Sequence, residues 1–220
     1  MMPLCAFSKK DYRWKRCRQS VSDKRDEDAF ERDTEIMAFL KQREDEGSIH
    51  LRYFDESGFS TTSSVPYGWQ PVGKTFRLPC HRSKRLNVLG FMGRDNELFF
   101  QTAEQTVTAE TVIAAFDAFT EHDYFTEFRQ TGKLCFVVMD NASIHKTQAF
   151  RDKMDDWLLH GVQPRFIPPY CPELNLIEIL WRKIKYEWLT MDAYLSYAHL
   201  KAKVVDTLNR FGNELRITFA

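Results

Sequence analysis

What the sequence lacks narrows its place before any motif is considered. No apolar run approaches the roughly 18 residues that a membrane-spanning helix needs, and the first residues carry no apolar signal-peptide core. These absences set the expectation of a cytoplasmic chain that engages no membrane. The five cysteines (Cys5, Cys17, Cys80, Cys135, Cys171) are odd in number and scattered, and no two form a CxxC pair. That argues against a disulfide framework or a structural zinc site and for a reducing compartment. There is no internal repeat and no low-complexity linker. Nor is there an excess of either charge: Lys plus Arg number 31 and Asp plus Glu number 31, so no global positive field draws the chain to nucleic acid.

What is present describes a globular protein. At 220 residues, 43% hydrophobic and 28% charged, the chain can build one domain with a real core plus an appendage. The basic charge is unevenly spread. Lys9, Lys10, Arg13, Lys15, Arg16, Arg18, Lys24 and Arg25 crowd the front against Asp11 and Asp23 alone, with Tyr12 and Trp14 among them. Smaller clusters stand at His81 to Arg85 and at Arg182 to Lys185. Such patches serve as phosphate contacts in some proteins and as plain solvated surface in more.

Periodicity gives the elements. A highly charged helix runs from Asp26, its cap, to Glu46, with Phe30, Met37 and Leu40 as a narrow apolar stripe and Gly47 as its stop. Ile49 to Phe54 reads as a short strand ending at Asp55. Asn87 to Met92 and Leu98 to Thr102 read as a hairpin turning at Gly93-Arg94-Asp95-Asn96. Thr108 to His122 has helical spacing. Leu134 to Met139 is a continuous apolar run, the mark of a central strand buried on both faces, and it leads into Asp140. A helix follows from Lys146 to His160, then a short strand from Gln163 to Ile167, a helix from Asn175 to Trp188 and a last helix from Ala198 to Phe211. Strands that first meander and then alternate with helices indicate a mixed sheet with helices on its faces, an α/β domain over 48–220. Residues 1–47 form a basic segment and charged helix ahead of it.

In α/β sheets, ligand chemistry gathers beyond the carboxyl ends of the strands. Asp55 and Asp140 occupy that position, and Glu178, on the helix after the last strand, can project toward the same edge. Three convergent carboxylates suit a hard divalent cation such as Mg2+, with Mn2+ as a substitute. Two such ions can activate an attacking water and stabilise a leaving oxygen in phosphoryl transfer. Each residue also has a plainer reading. Asp55 can open a turn, Asp140-Asn141 can form an Asx turn, and Asn175 to Glu178 fits a capping box. His145 reads as a surface or capping histidine, and Trp181 as core.

Particular words of sequence favour the chemical reading. In order come Tyr53-Phe54-Asp55-Glu56-Ser57-Gly58, Tyr67-Gly68-Trp69-Gln70-Pro71-Val72-Gly73, Asp140-Asn141-Ala142-Ser143-Ile144-His145, and Pro168-Pro169-Tyr170-Cys171-Pro172-Glu173-Leu174-Asn175-Leu176-Ile177-Glu178, with Trp181 beyond. Over about residues 48–210 the chain resembles bacterial insertion-sequence transposases related to the mariner elements. The resemblance implies a ribonuclease-H-like fold and a metal triad of Asp55, Asp140 and Glu178, holding two ions. It gives Asn141, His145 and Asn175 supporting roles. By the same resemblance the substrates are transposon-end DNA and a target, TA in this family, with a dimer pairing the two ends. Trp69, in a projecting loop, is the expected anchor on DNA or a partner subunit, with closure over its own sheet as the plainer reading, and Arg182 and Lys185, beside Glu178, are expected DNA contacts. On strand alternation Glu56 should point away from Asp55.

Two positions depart from the family: Cys171 stands where serine is common, and Leu176 where proline is common. A larger departure is that only a basic segment and one charged helix precede the first strand, where the family carries helix-turn-helix modules. The expectation is a catalytic half that depends on a separately encoded helix-turn-helix polypeptide. The competing readings are a catalytically idle remnant that binds DNA or pairs with a full-length transposase, and a ribonuclease-H-like nuclease without strand transfer.

Overall fold

A computed structural model of the chain describes residues 24–64, 72–73, 75, 77–78, 84–122 and 128–219. Most of the basic strip, Trp69 and nearly all of the Tyr67-to-Gly73 segment lie outside the described residues. The first described element, α1 (Glu27–Asp45), starts where Asp26 accepts the Ala29 N–H at 3.0 Å. It ends before Gly47, whose φ of +73° is free of strain only because it lacks a Cβ. Its apolar stripe buries Met37 and Leu40 in the core. Ion pairs from Asp33 to Arg165 (2.6 Å) and from Glu44 to Arg94 (2.9 Å) hold it against the sheet.

Five strands follow: β1 (His50–Ser60), β2 (Arg85–Gly93), β3 (Leu98–Ala103), β4 (Cys135–Met139) and β5 (Val162–Phe166), in the spatial order β3-β2-β1-β4-β5. The first three pair antiparallel, and β4 and β5 add in parallel. Pro164 donates no ladder hydrogen bond, which β5 tolerates because it lies at the sheet edge. Helices α2 (Ala109–Glu121) and α3 (Gln148–Leu159) cover one face; α1, α4 (Ile177–Lys183) and α5 (Tyr197–Arg210) cover the other.

The strand period of two divides the core between these faces. Phe54, Phe91, Phe116, Phe119, Phe150 and Trp157 fill the α2–α3 side, with Phe91 stacked on Phe119 at 4.2 Å and Phe116 on Trp157 at 4.8 Å. The Trp157 indole N–H is satisfied there by Asp117 at 2.8 Å. Tyr53, Val138, Ile177, Leu180 and Trp181 belong to the other side.

Three local expectations need correction. The first strand does not stop before Asp55; it continues to Ser60, with Asp55 opposite Gly90, because β2 is long enough to pair along its whole second half. The helix expected from Lys146 is preceded by a 3-10 turn, Ser143–Lys146, and restarts at Gln148 under a Thr147 cap. The helix expected from Asn175 starts at Ile177 and relaxes into a π turn, Ile184–Trp188.

Candidate active site

The sheet register places the acidic residues. Parallel pairing between β1 and β4 ends at Tyr53↔Val138. Two residues further along each strand are Asp55 and Asp140, at the lip where β1 loses its parallel neighbour. Glu178 is brought to this lip by α4, and the approach of that helix depends on Gly90. A Cβ there would meet Trp181 Cη2 at 2.9 Å and Ile177 Cδ1 at 3.2 Å. Glycine at this position of β2 therefore lets the Trp181 ring rest on the strand directly across from Asp55.

Asp55, Asp140 and Glu178 line one open cavity of about 420 Å³, together with Asn141, Asn175 and the 167–172 loop. That loop turns at Tyr170, a non-glycine residue held at φ +64° on the cavity rim, a conformation favoured at functional sites. Among the described residues the acids share the cavity without closing into a ready ligand cluster.

Their electrostatics differ. Burial, and after it the negative charges of Glu178, Glu56 and Asp140, hold the Asp55 carboxyl well above the usual carboxylate range. Glu178 is raised too: desolvation acts first, Lys185 opposes it and Asp140 adds to it. Asp140 goes the other way. Burial would raise it, but a hydrogen bond from His145, another from the Ala142 N–H and the positive charges of His145 and Lys146 bring it below its ordinary value.

The capping box is not formed. Leu176, not Asn175, takes the cap position of α4, and no side chain caps it. Asn175 is buried and donates its Nδ2 to the Phe54 carbonyl at 2.9 Å, tying the α4 entrance to the residue before Asp55. Its Oδ1 is buried without a partner. Freed from capping, Glu178 faces the cavity.

His145 is not a surface residue. It is 1% exposed, with Nδ1 at 2.9 Å from Asp140 Oδ1 and Nε2 at 2.8 Å from Glu56 Oε1. Burial alone would lower its pKa, but the two carboxylates raise it to about 10. Glu56 does point away from Asp55, as alternation requires, and its destination is this imidazole.

The expected DNA contacts separate. Lys185, in the π turn, lies 5.4 Å from the Phe59 ring centre. Burial lowers its pKa while Glu178 and Asp55 act to raise it, so its ammonium faces the acids. Arg182 instead lines a different open groove of about 1030 Å³, with Lys41, Arg94, Lys183 and Arg216. Trp69 lies outside the described residues. The partnership of Glu56 with His145 escaped the sequence reading, because no local spacing links positions 89 residues apart.

A divalent cation fits this donor set. Three oxygen donors line one cavity, their mutual repulsion is only partly offset by Lys185 and His145, and Asn175, whose buried Oδ1 has no partner, lines the same cavity.

The family described as DDE superfamily endonuclease matches residues 50–201. No curated protein sequence matches the chain. Among solved structures, the Mos1 mariner paired-end complex with Mn is similar at a TM-score of 0.60 and 17% identity, covering 92% of this chain and 61% of that one. The Mos1 strand transfer complex is similar at 0.57 and 15%, covering 94% and 60%. The isolated catalytic domain of Mos1 mariner transposase is similar at 0.52 and 17%, covering 84% and 82%. The chain thus spans about three fifths of the length of the proteins in the two complexes. At these identities the likeness establishes the fold, which is ribonuclease-H-like.

Proposed function

The chain belongs to the DDE superfamily endonuclease family, and from that premise we propose that it is the catalytic part of a DNA transposase of the mariner kind, carried by a bacterial insertion sequence. It cuts phosphodiester bonds at transposon ends and joins the freed 3′-hydroxyl to a TA target. Residues 48–220 are its catalytic domain, and 1–47 are the segment leading in from a DNA-binding region. The observation that carries this reading is that Asp55, Asp140 and Glu178, far apart in sequence, line one open cavity, an arrangement that suits a bound cation.

Asp55, Asp140 and Glu178 hold Mg2+ or Mn2+, as two ions. When bound, the metal supplies Lewis-acid stabilisation of the phosphoryl oxygens and a more acidic water. The rest of the work belongs to the side chains. His145 fixes Asp140, and Asn175 fixes the α4 entrance against β1. Asn141 lines the same cavity. Lys185 balances Glu178 and stands ready for a phosphate, while Arg182 and Trp69 are further DNA contacts. Two chains pair the two ends, and a helix-turn-helix DNA-binding region reads the terminal repeats.

The test is nicking of supercoiled plasmid with and without Mg2+, comparing the parent chain with Asp140→Asn and Glu178→Gln. Metal-dependent nicking that both substitutions abolish, with melting temperatures unchanged, is the expected result. Nicking that survives both substitutions contradicts the assignment. DNA binding without any nicking would make this chain the idle remnant instead.

A further inference from the structure

Asp140 is exposed just beyond the end of β4, and a carboxylate there has no intrinsic reason to hold one orientation. The structure nevertheless fixes it. Its Oδ1 accepts the Ala142 N–H at 3.0 Å and faces His145 Nδ1 at 2.9 Å. The same ring nitrogen is 3.3 Å from the Asp140 carbonyl oxygen, so the imidazole grips both the side chain and the backbone of that residue. Both fixing contacts to the carboxylate fall on one oxygen, and Oδ2 takes no hydrogen bond among the described residues.

The imidazole is itself held. It is sealed among apolar rings, with Phe54 at 5.9 Å and Phe150 at 6.2 Å between ring centres. Its far nitrogen meets Glu56 Oε1 at 2.8 Å. Both ring nitrogens face carboxylate oxygens, so a ring rotation in place would break two charge-assisted hydrogen bonds at once. Glu56 stands next to Asp55 in sequence but on the opposite face of β1. The strand therefore presents one carboxylate to the cavity and uses the next to anchor the residue that aims another.

We propose that Glu56 is a positioning residue, which acts through His145 to hold Asp140 with Oδ1 occupied and Oδ2 directed to the cation. This rests on the metal reading above and adds a fourth acid to the three that line the cavity. It also specifies one-oxygen ligation by Asp140. Partners behind a metal ligand commonly change cation affinity tenfold or more when removed, because the ligand must then be ordered on binding.

Three forms of the full chain separate this role from plain packing: the parent, Glu56→Ala and Glu56→Gln. The probe is Mn2+ alone, titrated calorimetrically without DNA. The expected result is an affinity about tenfold weaker in Glu56→Ala, with Glu56→Gln near the parent because its amide oxygen still accepts from Nε2. Unchanged Mn2+ affinity in a folded Glu56→Ala chain overturns the proposal, whatever its melting temperature. If Glu56→Ala does not fold, the decision falls to His145→Gln, with the same tenfold loss expected. If the parent binds no Mn2+, the metal reading fails and the clamp is judged separately by crystal structures of the parent and Glu56→Ala. An imidazole and an Asp140 carboxylate that lose their parent orientations in Glu56→Ala support it. An Asp140 carboxylate unmoved in Glu56→Ala overturns it.

Discussion

Arg52 and Asp55 stand three residues apart on one strand, and their surroundings treat charge in opposite ways. Arg52 is 3% exposed and is met by Glu97 at 2.7 Å, Asp95 at 3.4 Å and Glu44 at 3.9 Å. Its guanidinium also donates to the Leu51 carbonyl at 3.1 Å. A buried charge with that many opposite partners is what a stable fold requires. Asp55 instead shares its cavity with Glu178 and Asp140, and burial together with the negative charges of Glu178, Glu56 and Asp140 drives its carboxyl well above the usual range. A strand that neutralises the charge at Arg52 so fully leaves acid in surplus at Asp55. On the function proposed above, the acidic surplus at Asp55 is what a bound cation would complete.

The largest effect is expected at Arg52. Arg52→Ala removes the buried partner of Glu97 and Asp95, leaves Glu44 to Arg94 alone, and should cost about 2–3 kcal/mol in urea unfolding. That is below the ~3–5 kcal/mol of a fully buried pair, because Asp95 and Glu97 reach solvent. A cost under about 0.5 kcal/mol would mean that the network is ordinary surface charge.

Gly90→Ala sharpens the other half. Its new Cβ would crowd Trp181 at 2.9 Å, so α4 must move and carry Glu178 with it. Overpacking of this kind costs roughly 1–3 kcal/mol. Nicking should fall further than stability at 25 °C, because a displaced carboxylate loses its geometry while the core repacks. Full activity in a destabilised Gly90→Ala chain would show that Glu178 is not placed through this contact.

The smallest effect has the opposite sign. With a chelator present, Asp55→Asn should leave stability at pH 7 unchanged or raised. A carboxyl whose folded pKa is raised adds no penalty below its unfolded value, about 3.9, and a growing one as pH rises through the folded value. The parent's melting temperature should therefore decline across that window, and the Asn variant should lack the decline. A variant less stable than the parent at pH 7 would mean that the charge of Asp55 is satisfied after all.

Much of this was legible in the sequence. The apolar run ending at Met139 is a buried interior strand, the Asp26 cap and Gly47 stop bound α1, and Trp181 is core, because each rests on local periodicity or backbone chemistry. Asp55, Asp140 and Glu178 were legible as a set through their neighbours and do line one cavity. Strand length was not legible: alternation cannot reveal that β2 extends the pairing of β1 past Asp55 to Ser60. Nor was the fate of Asn175, whose capping signature is local while its actual partner, the Phe54 carbonyl, is 121 positions away. The burial of His145 is of the same kind, decided by Glu56 and two phenylalanines on other elements.

The most direct test of the central claim is anomalous diffraction from crystals of the chain soaked in Mn2+. The account predicts manganese density in the cavity between β1, β4 and α4, bonded to Asp140 and to Asp55 or Glu178, and lost in Asp140→Asn. Manganese that settles elsewhere, or a cavity that stays empty at saturating Mn2+ with all three acids intact, would contradict it.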